Sequence, residues 1–280
     1  LIDIAIFISG RLTCYDTNLI KILNYLDKKY HIDLFISLNN KRDEYHIIAE
    51  QRLSKWIKSI NYEEYTVPGD FVQNIHPQSL LQDVNGYIVP YTNLSCFFND
   101  RKCFDMIINY HNSIKPYDVV CKLRSDITFH NIENLFFNIP EIDTIYSCIP
   151  PCQIHFNGDE KNPICINDAF AFGNIKSMDM YTRTYTNILF LNNVLEGKYR
   201  VNYELSLTES IYSILYQTGY EIEGQDNYLE QYVDKLENYS IIRSPYEFIE
   251  KIKTNRIKIR YFENPYCLDP DRRSRDKIKH

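Results

Sequence analysis

The segment Lys122-Leu123-Arg124-Ser125-Asp126 places two cations, a hydroxyl and a carboxylate at and just beyond the end of the apolar run Val119-Val120-Cys121. Asp126 offers the hard oxygen that Mg²⁺ or Mn²⁺ prefers. Arg124, and Arg11 behind the first apolar run of the chain, carry planar forks that match a phosphate. The plainer alternative is an ion pair between Arg124 and Asp126 that caps a turn, since surface pairs are common and individually weak. Asp168 is a third carboxylate, placed after Asn167 and before Ala169-Phe170-Ala171-Phe172. It can take a proton as a general base, or it can close an Asn-Asp turn.

Other chemistries find less support. Cys148 and Cys152 stand at zinc-ligand spacing, with Cys165 and His155 further on. No second close pair accompanies them, whereas structural zinc sites usually show two. The seven histidines are too scattered in sequence to suggest a ligand pair, and none is assigned a role. No Gly-x-Ser-x-Gly, P-loop or Gly-x-Gly-x-x-Gly is present, so hydrolase-elbow, NTPase and dinucleotide-binding readings lose their main support.

The elements that must position these residues alternate from the start. Residues 3–9 are a buried strand ending at Gly10, and 17–26 carry apolar residues at helical spacing. The pattern then predicts a strand over 32–38, a helix over 44–60 and a short strand over 64–67 closed by Pro68-Gly69. Such a βαβαβ unit implies a parallel sheet with helices on its faces. Residues 69–91 read as a polar loop and 97–114 as a helix closed by Lys115-Pro116. The core strand 117–123 delivers Arg124 and Asp126 at its carboxyl end, where open α/β sheets bind ligands. Short strands at 127–129 and 144–148, a loop over 149–164, a strand over 168–173 and helices over 175–191 and 205–217 follow, with a strand at 220–223. Residues 227–280 are less regular.

Composition bounds the partners. With 280 residues, 31 Lys and Arg against 37 Asp and Glu, and a net charge of −6, the chain lacks the basic excess of a general nucleic-acid-binding surface. The basic stretch from Arg272 to Lys279 reads as a solvated tail. No run approaches the roughly 18 apolar residues of a membrane span, and the apolar opening lacks the basic flank and cleavage site of a signal peptide. The eight cysteines, among them Cys14, Cys96, Cys103 and Cys121 within apolar patterns, read as free thiols. A cytoplasmic protein is the expectation.

The order Ile8-Ser9-Gly10-Arg11, then Tyr117 to Asp126, then Ile166-Asn167-Asp168-Ala169-Phe170-Ala171-Phe172-Gly173 resembles GT-A-type glycosyltransferases of a group found in bacterial surface-polysaccharide clusters and large DNA viruses. The resemblance spans residues 3–224. It implies an α/β, GT-A-like (Rossmann-like), mostly parallel sheet in a single domain over 1–226, with loop insertions and a C-terminal extension over 227–280. It further implies a nucleoside-diphosphate sugar donor held by Ser9, Gly10, Arg11, Arg124 and Asp126, and a glycan or other hydroxyl acceptor. The Arg-Ser-Asp element looks like the counterpart of a metal-binding Asp-x-Asp with its last carboxylate kept, so Asp126 would hold Mn²⁺ or Mg²⁺. Arg124 replaces the first acid. Asp168 is placed in the active site as the base of an inverting transfer, and Glu209, at the head of a helix, is the reserve ahead of Glu204. A sugar nucleotidyltransferase would share the sheet but should show a richer glycine loop than Ser9-Gly10-Arg11. A silent nucleotide-sugar-binding or scaffold module would share the whole fold.

Overall fold

The computed structural model of the chain describes residues 1–39, 41–64, 66, 89–130, 132–134, 137–141, 144–148 and 168–186, and the backbone of 221–222, 256–262 and 266–268; for 89–93, 134 and 148 it describes the backbone alone. Four parallel strands, β1 (Asp3–Gly10), β2 (His31–Leu38), β3 (Ile57–Tyr62) and β4 (Val119–Leu123), lie in the order β3-β2-β1-β4. The sheet continues through β7 (Phe170–Gly173), β6 (Thr144–Cys148), β9 (Arg256–Phe262) and β8 (Glu221–Ile222). β7 pairs antiparallel with both β4 and β6, and β9 runs parallel to β6 and β8, so β7 alone opposes the other strands. β5 (Ile127–Phe129) and β10 (Tyr266–Leu268) form a separate antiparallel pair. This is the expected α/β arrangement: a mostly parallel sheet with one reversed strand, flanked by helices. Among the described residues no helix is long and apolar enough to cross a membrane.

Side chains alternate between the sheet's faces with the two-residue period of a strand. Ile4, Ile6 and Ile8 of β1, with Leu34, Ile36 and Leu38 of β2 and Val119, Cys121 and Leu123 of β4, form one core. α1 (Ile20–Leu26) adds Ile22, Leu23 and Leu26 to it, and α2 (Glu44–Leu53) adds Ala49 and Leu53. α3 (Val89–Ser113) covers the opposite face, where the Cys103 thiol donates to Ile8 O at 3.3 Å and Phe97, Phe104 and Ile107 are fully buried. α4 (Ile175–Thr182) lies beside α3, and Arg101 reaches Asp179 at 2.8 Å. Gly173 closes β7 under a close approach: a Cβ there would stand 2.8 Å from Thr144 O and 3.0 Å from Ser177 Cβ, so even alanine would force backbone apart.

Charges gather at the amino ends of the strands. Tyr117 donates to Asp33 at 2.7 Å, Lys58 reaches Asp33 at 3.3 Å, and Lys115 reaches Asp3 at 2.5 Å. Burial alone would raise the Asp3 carboxyl, but Lys115 and His31 outweigh it and hold Asp3 below its ordinary value. Burial, reinforced by Asp33, pushes the Tyr117 phenol far up.

Several sequence expectations need correction. α2 ends at Leu53, and the third strand is Ile57–Tyr62 in place of 64–67. Ile57 and Ile60 fit a helical period as well as a strand, and tertiary pairing decides: Trp56 N closes onto Leu53 O at 2.9 Å, and Leu34 N already takes Trp56 O at 2.8 Å. α3 starts at Val89 and not at 97. Pro90 sits in the helix's first turn, where it costs no internal hydrogen bond. The strand before α4 begins at Phe170, with Asp168 in the turn ahead of it, and α4 itself ends at Thr182. Residues 187–191 and the 205–217 helix lie outside the described residues. Residues 256–262, read as irregular, are a strand within the main sheet.

Candidate functional site

The strand order reverses between β1 and β4, because the chain winds outward from β1 through β2 and β3 and returns to β4 on its other side. In open α/β sheets the crevice outside the carboxyl ends of the strands at such a reversal is the usual ligand position. β1 reaches that edge at Gly10, whose φ of 84° is in the left-handed region, so a side chain there would be strained. The turn runs on through Cys14, a non-glycine residue at φ 54°, into a π-helical turn, Tyr15–Leu19. Such turns are rare, and they recur at functional sites.

β4 reaches the same edge at Leu123. Ser125 binds the two turns together: its Oγ donates to Arg11 O at 3.3 Å and accepts from Thr13 N at 3.1 Å. Ser125 itself is buried, and its partners on the β1 turn lie nearer the surface. Arg11 itself is exposed at this edge.

The reversal of β7 brings in the third participant. Since β7 is antiparallel to β4, with Leu123 opposite Phe170, the start of β7 lies at the carboxyl end of β4. Arg124 N extends the pairing by donating to Ala169 O at 3.0 Å. Arg124 then meets both acids. Its Nε and Nη2 donate to the two oxygens of Asp126 at 2.9 and 2.7 Å, and its Nη1 donates to Asp168 at 3.3 Å. The Arg124 side chain is 35% exposed, against 10% and 15% for Asp126 and Asp168, so the guanidinium is the part of the trio most open to solvent.

Beneath this trio lies a charge pair that the sequence reading did not single out. Lys122 and Asp100 of α3 are both almost wholly buried and bonded to each other. Ser9 Oγ donates to Asp100 and accepts from Lys122. The Lys122 ammonium also stands 5.3 Å from the centre of the Phe7 ring. Burial pushes the Asp100 carboxyl above its ordinary value, even with Lys122 against it, and the negative charge of Asp168 adds to the rise. A lysine inside the otherwise apolar strand Val119–Leu123 was the available signal, because an ammonium in a central strand demands a partner. Next to Gly10, a neutral polar cluster joins the strand ends to α3: Ser37 donates to Asn99 at 2.6 Å, Asn61 donates to Ser37 at 3.2 Å, and Asn39 bonds to Ser95 and Asn99.

Of the nominated residues, Gly10, Arg11, Arg124, Asp126 and Asp168 therefore converge on one edge. Ser9 is there too, with its hydroxyl committed to the buried pair. Glu209 and Glu204 lie outside the described residues, as do Cys152, His155 and Cys165 of the zinc test. Cys14, Cys96, Cys103 and Cys121 are not in disulfides.

Asp126, the carboxylate nominated for the metal, is held by a guanidinium. Both its oxygens accept from one guanidinium, and the same guanidinium holds Asp168. Among the described residues no three His, Cys, Asp or Glu side chains converge at ligand spacing.

No family model and no curated protein matches the sequence. Among solved structures, the chain is similar to mouse xyloside xylosyltransferase 1 in its apo form, at TM-score 0.44 and 11% identity over 83% of this chain and 93% of that one. It is also similar to a glycosyltransferase involved in the glycosylation of the major capsid of PBCV-1, at TM-score 0.32 and 12% identity over 76% of this chain and 77% of that one. Likenesses of this size leave the site to be read from its own geometry.

Proposed function

We propose that the chain is a glycosyltransferase that moves a sugar from a nucleoside-diphosphate sugar to a hydroxyl of a glycan or other acceptor. One observation carries the reading: the carboxyl ends of β1 and β4 gather two arginines and two carboxylates, and reversed β7 is what delivers the second carboxylate. A diphosphate leaving group develops negative charge as its bond to the anomeric carbon breaks, and fixed positive groups stabilise that charge. Arg124, aimed by Asp126, and Arg11 across the crevice supply such groups.

In the inverting form of the reaction, Asp168 takes the proton of the acceptor hydroxyl as its oxygen bonds to the anomeric carbon. The bond from that carbon to the diphosphate breaks, and the electron pair leaves on the nucleoside diphosphate. The test is release of nucleoside diphosphate from a panel of sugar nucleotides. Asp168→Asn should lower turnover by a factor of about 10² or more with donor affinity kept. If turnover is unchanged, the base is another residue, and Glu209→Gln is the next variant.

The closed ion pair between Arg124 and Asp126 favours a second reading, a silent binding or scaffold module in which these charges only stabilise a turn. A chain of that kind would show no selective thermal stabilisation by any nucleoside diphosphate or sugar nucleotide.

A further inference from the structure

Arg124 holds the point that a divalent ion would need. Three of its N–H groups lie on two acids that come from different strands, Asp126 after β4 and Asp168 before β7. An ion bridging those acids would have to displace the fork from both Asp126 oxygens and then sit beside the displaced positive charge. The fork is also held from behind: Arg124 N is tied to Ala169 O at 3.0 Å, and Ser125 is pinned to the β1 turn, so the backbone that carries Arg124 is fixed on both sides. A guanidinium is a weakly hydrated, permanently charged cation suited to such a place.

We infer that this site works without a divalent metal, with the Arg124 guanidinium standing between Asp126 and Asp168 in the ion's place. The donor half of the inference rests on the glycosyltransferase reading; the metal half does not. The charge facing a departing diphosphate is then covalently part of the chain. It cannot be removed by chelation, and it is placed by the same strand that forms the crevice.

The experiment has two arms on the full chain. In the first, Mn²⁺ alone is titrated and free Mn²⁺ is followed by electron paramagnetic resonance. The wild type should retain no stoichiometric ion, while Arg124→Gln, which leaves the two acids without their cation, should bind Mn²⁺ at least about tenfold more tightly. Adding Asp126→Asn to that variant should abolish the gain. One equivalent of Mn²⁺ bound by the wild type and lost in Asp126→Asn overturns the inference, and so does a folded Arg124→Gln that gains nothing. Circular dichroism checks that fold, and Arg124→Lys, which keeps the charge, should remain unable to bind Mn²⁺.

In the second arm, UDP and GDP are titrated calorimetrically in EDTA and in Mn²⁺. Equal dissociation constants support the inference, and binding that appears only with Mn²⁺ overturns it. If neither nucleotide binds in either buffer, the glycosyltransferase reading is what fails, and the Mn²⁺ titration still decides what Arg124 does.

Discussion

At the amino ends of β1, β2 and β4, the acids Asp3 and Asp33 are met by Lys115 and Lys58, whose side chains stay about one-third in water. At the carboxyl ends, Asp100, Asp126 and Asp168 are met by Lys122 and Arg124, and Lys122 and Asp100 are almost completely withdrawn from water. Both ends of one sheet thus carry paired charge, but under different physical conditions. An exposed ammonium keeps most of its hydration and its pairing contributes little. A buried one loses that hydration and depends on its partner. The costly arrangement lies at the carboxyl ends, beside the candidate site, where a low dielectric strengthens the attraction between paired charges. The cheaper one is at the amino ends.

The largest effect that could break this comparison is on stability. Lys122→Met leaves the Asp100 carboxyl buried without its cation and should cost about 3–5 kcal/mol in urea denaturation. Lys58→Met at the opposite end should cost less than about 1 kcal/mol. Equal losses would remove the distinction.

A second pair separates stability from turnover. Tyr117→Phe removes a hydrogen bond to a buried carboxylate, and Ser125→Ala removes the hydroxyl that joins the two turns of the crevice. Each should cost about 1–3 kcal/mol. Only Ser125→Ala should also weaken nucleoside-diphosphate binding, as measured by calorimetry, because only that change frees the Arg11 turn from Arg124. If Tyr117→Phe weakens binding as much, the effect is one of general loosening.

The smallest effect is a pH dependence at the amino ends. Asp3 is held below its ordinary value, so the unfolded chain binds its proton first as pH falls. Its stabilisation is present above the unfolded pKa of about 3.9 and is lost as pH drops through the lower folded value. Melting temperatures taken between neutral pH and that acid window should fall less steeply for Asp3→Asn than for the wild type. Parallel curves would mean that Lys115 and His31 do not hold Asp3 in solution.

Much of the sheet was legible because its strands are rich in apolar, β-branched and aromatic residues: β1, β2 and β6 lie within a residue of where the pattern puts them. Where a run fits two periods, as from Trp56 to Ile60, local pattern could not choose between α2 and β3. The start of α3 was hidden for a related reason. Ser95 and Asn99 are buried polar residues turned toward the strand ends, and they erase the amphipathic stripe that would have marked the helix. In the site, the residues after β1 and β4 could be named from strand ends alone. Their junction with Asp168 depends on the reversed direction of β7, which side-chain alternation does not encode. The partnership of Lys122 with Asp100 is equally tertiary, although the lysine within an apolar strand announced that a partner was needed.

The insertion of β9 beside β6 also has a consequence in time. Thr144 of β6 pairs with Lys258 of β9, about 110 residues later in the chain. At about 5–20 residues per second, a ribosome needs on the order of 5–20 s to make that stretch. Through that interval the nascent β6 can take β7 on one side, while its other edge shows unpaired N–H and C=O groups to any strand that passes. The crevice strands β1 to β4 have all been made by then. β1 waits as long for β4, since Ile4 pairs with Val119 about 115 residues later, so the junction beside the candidate site and the far flank of the sheet share the same exposure to mispairing during synthesis.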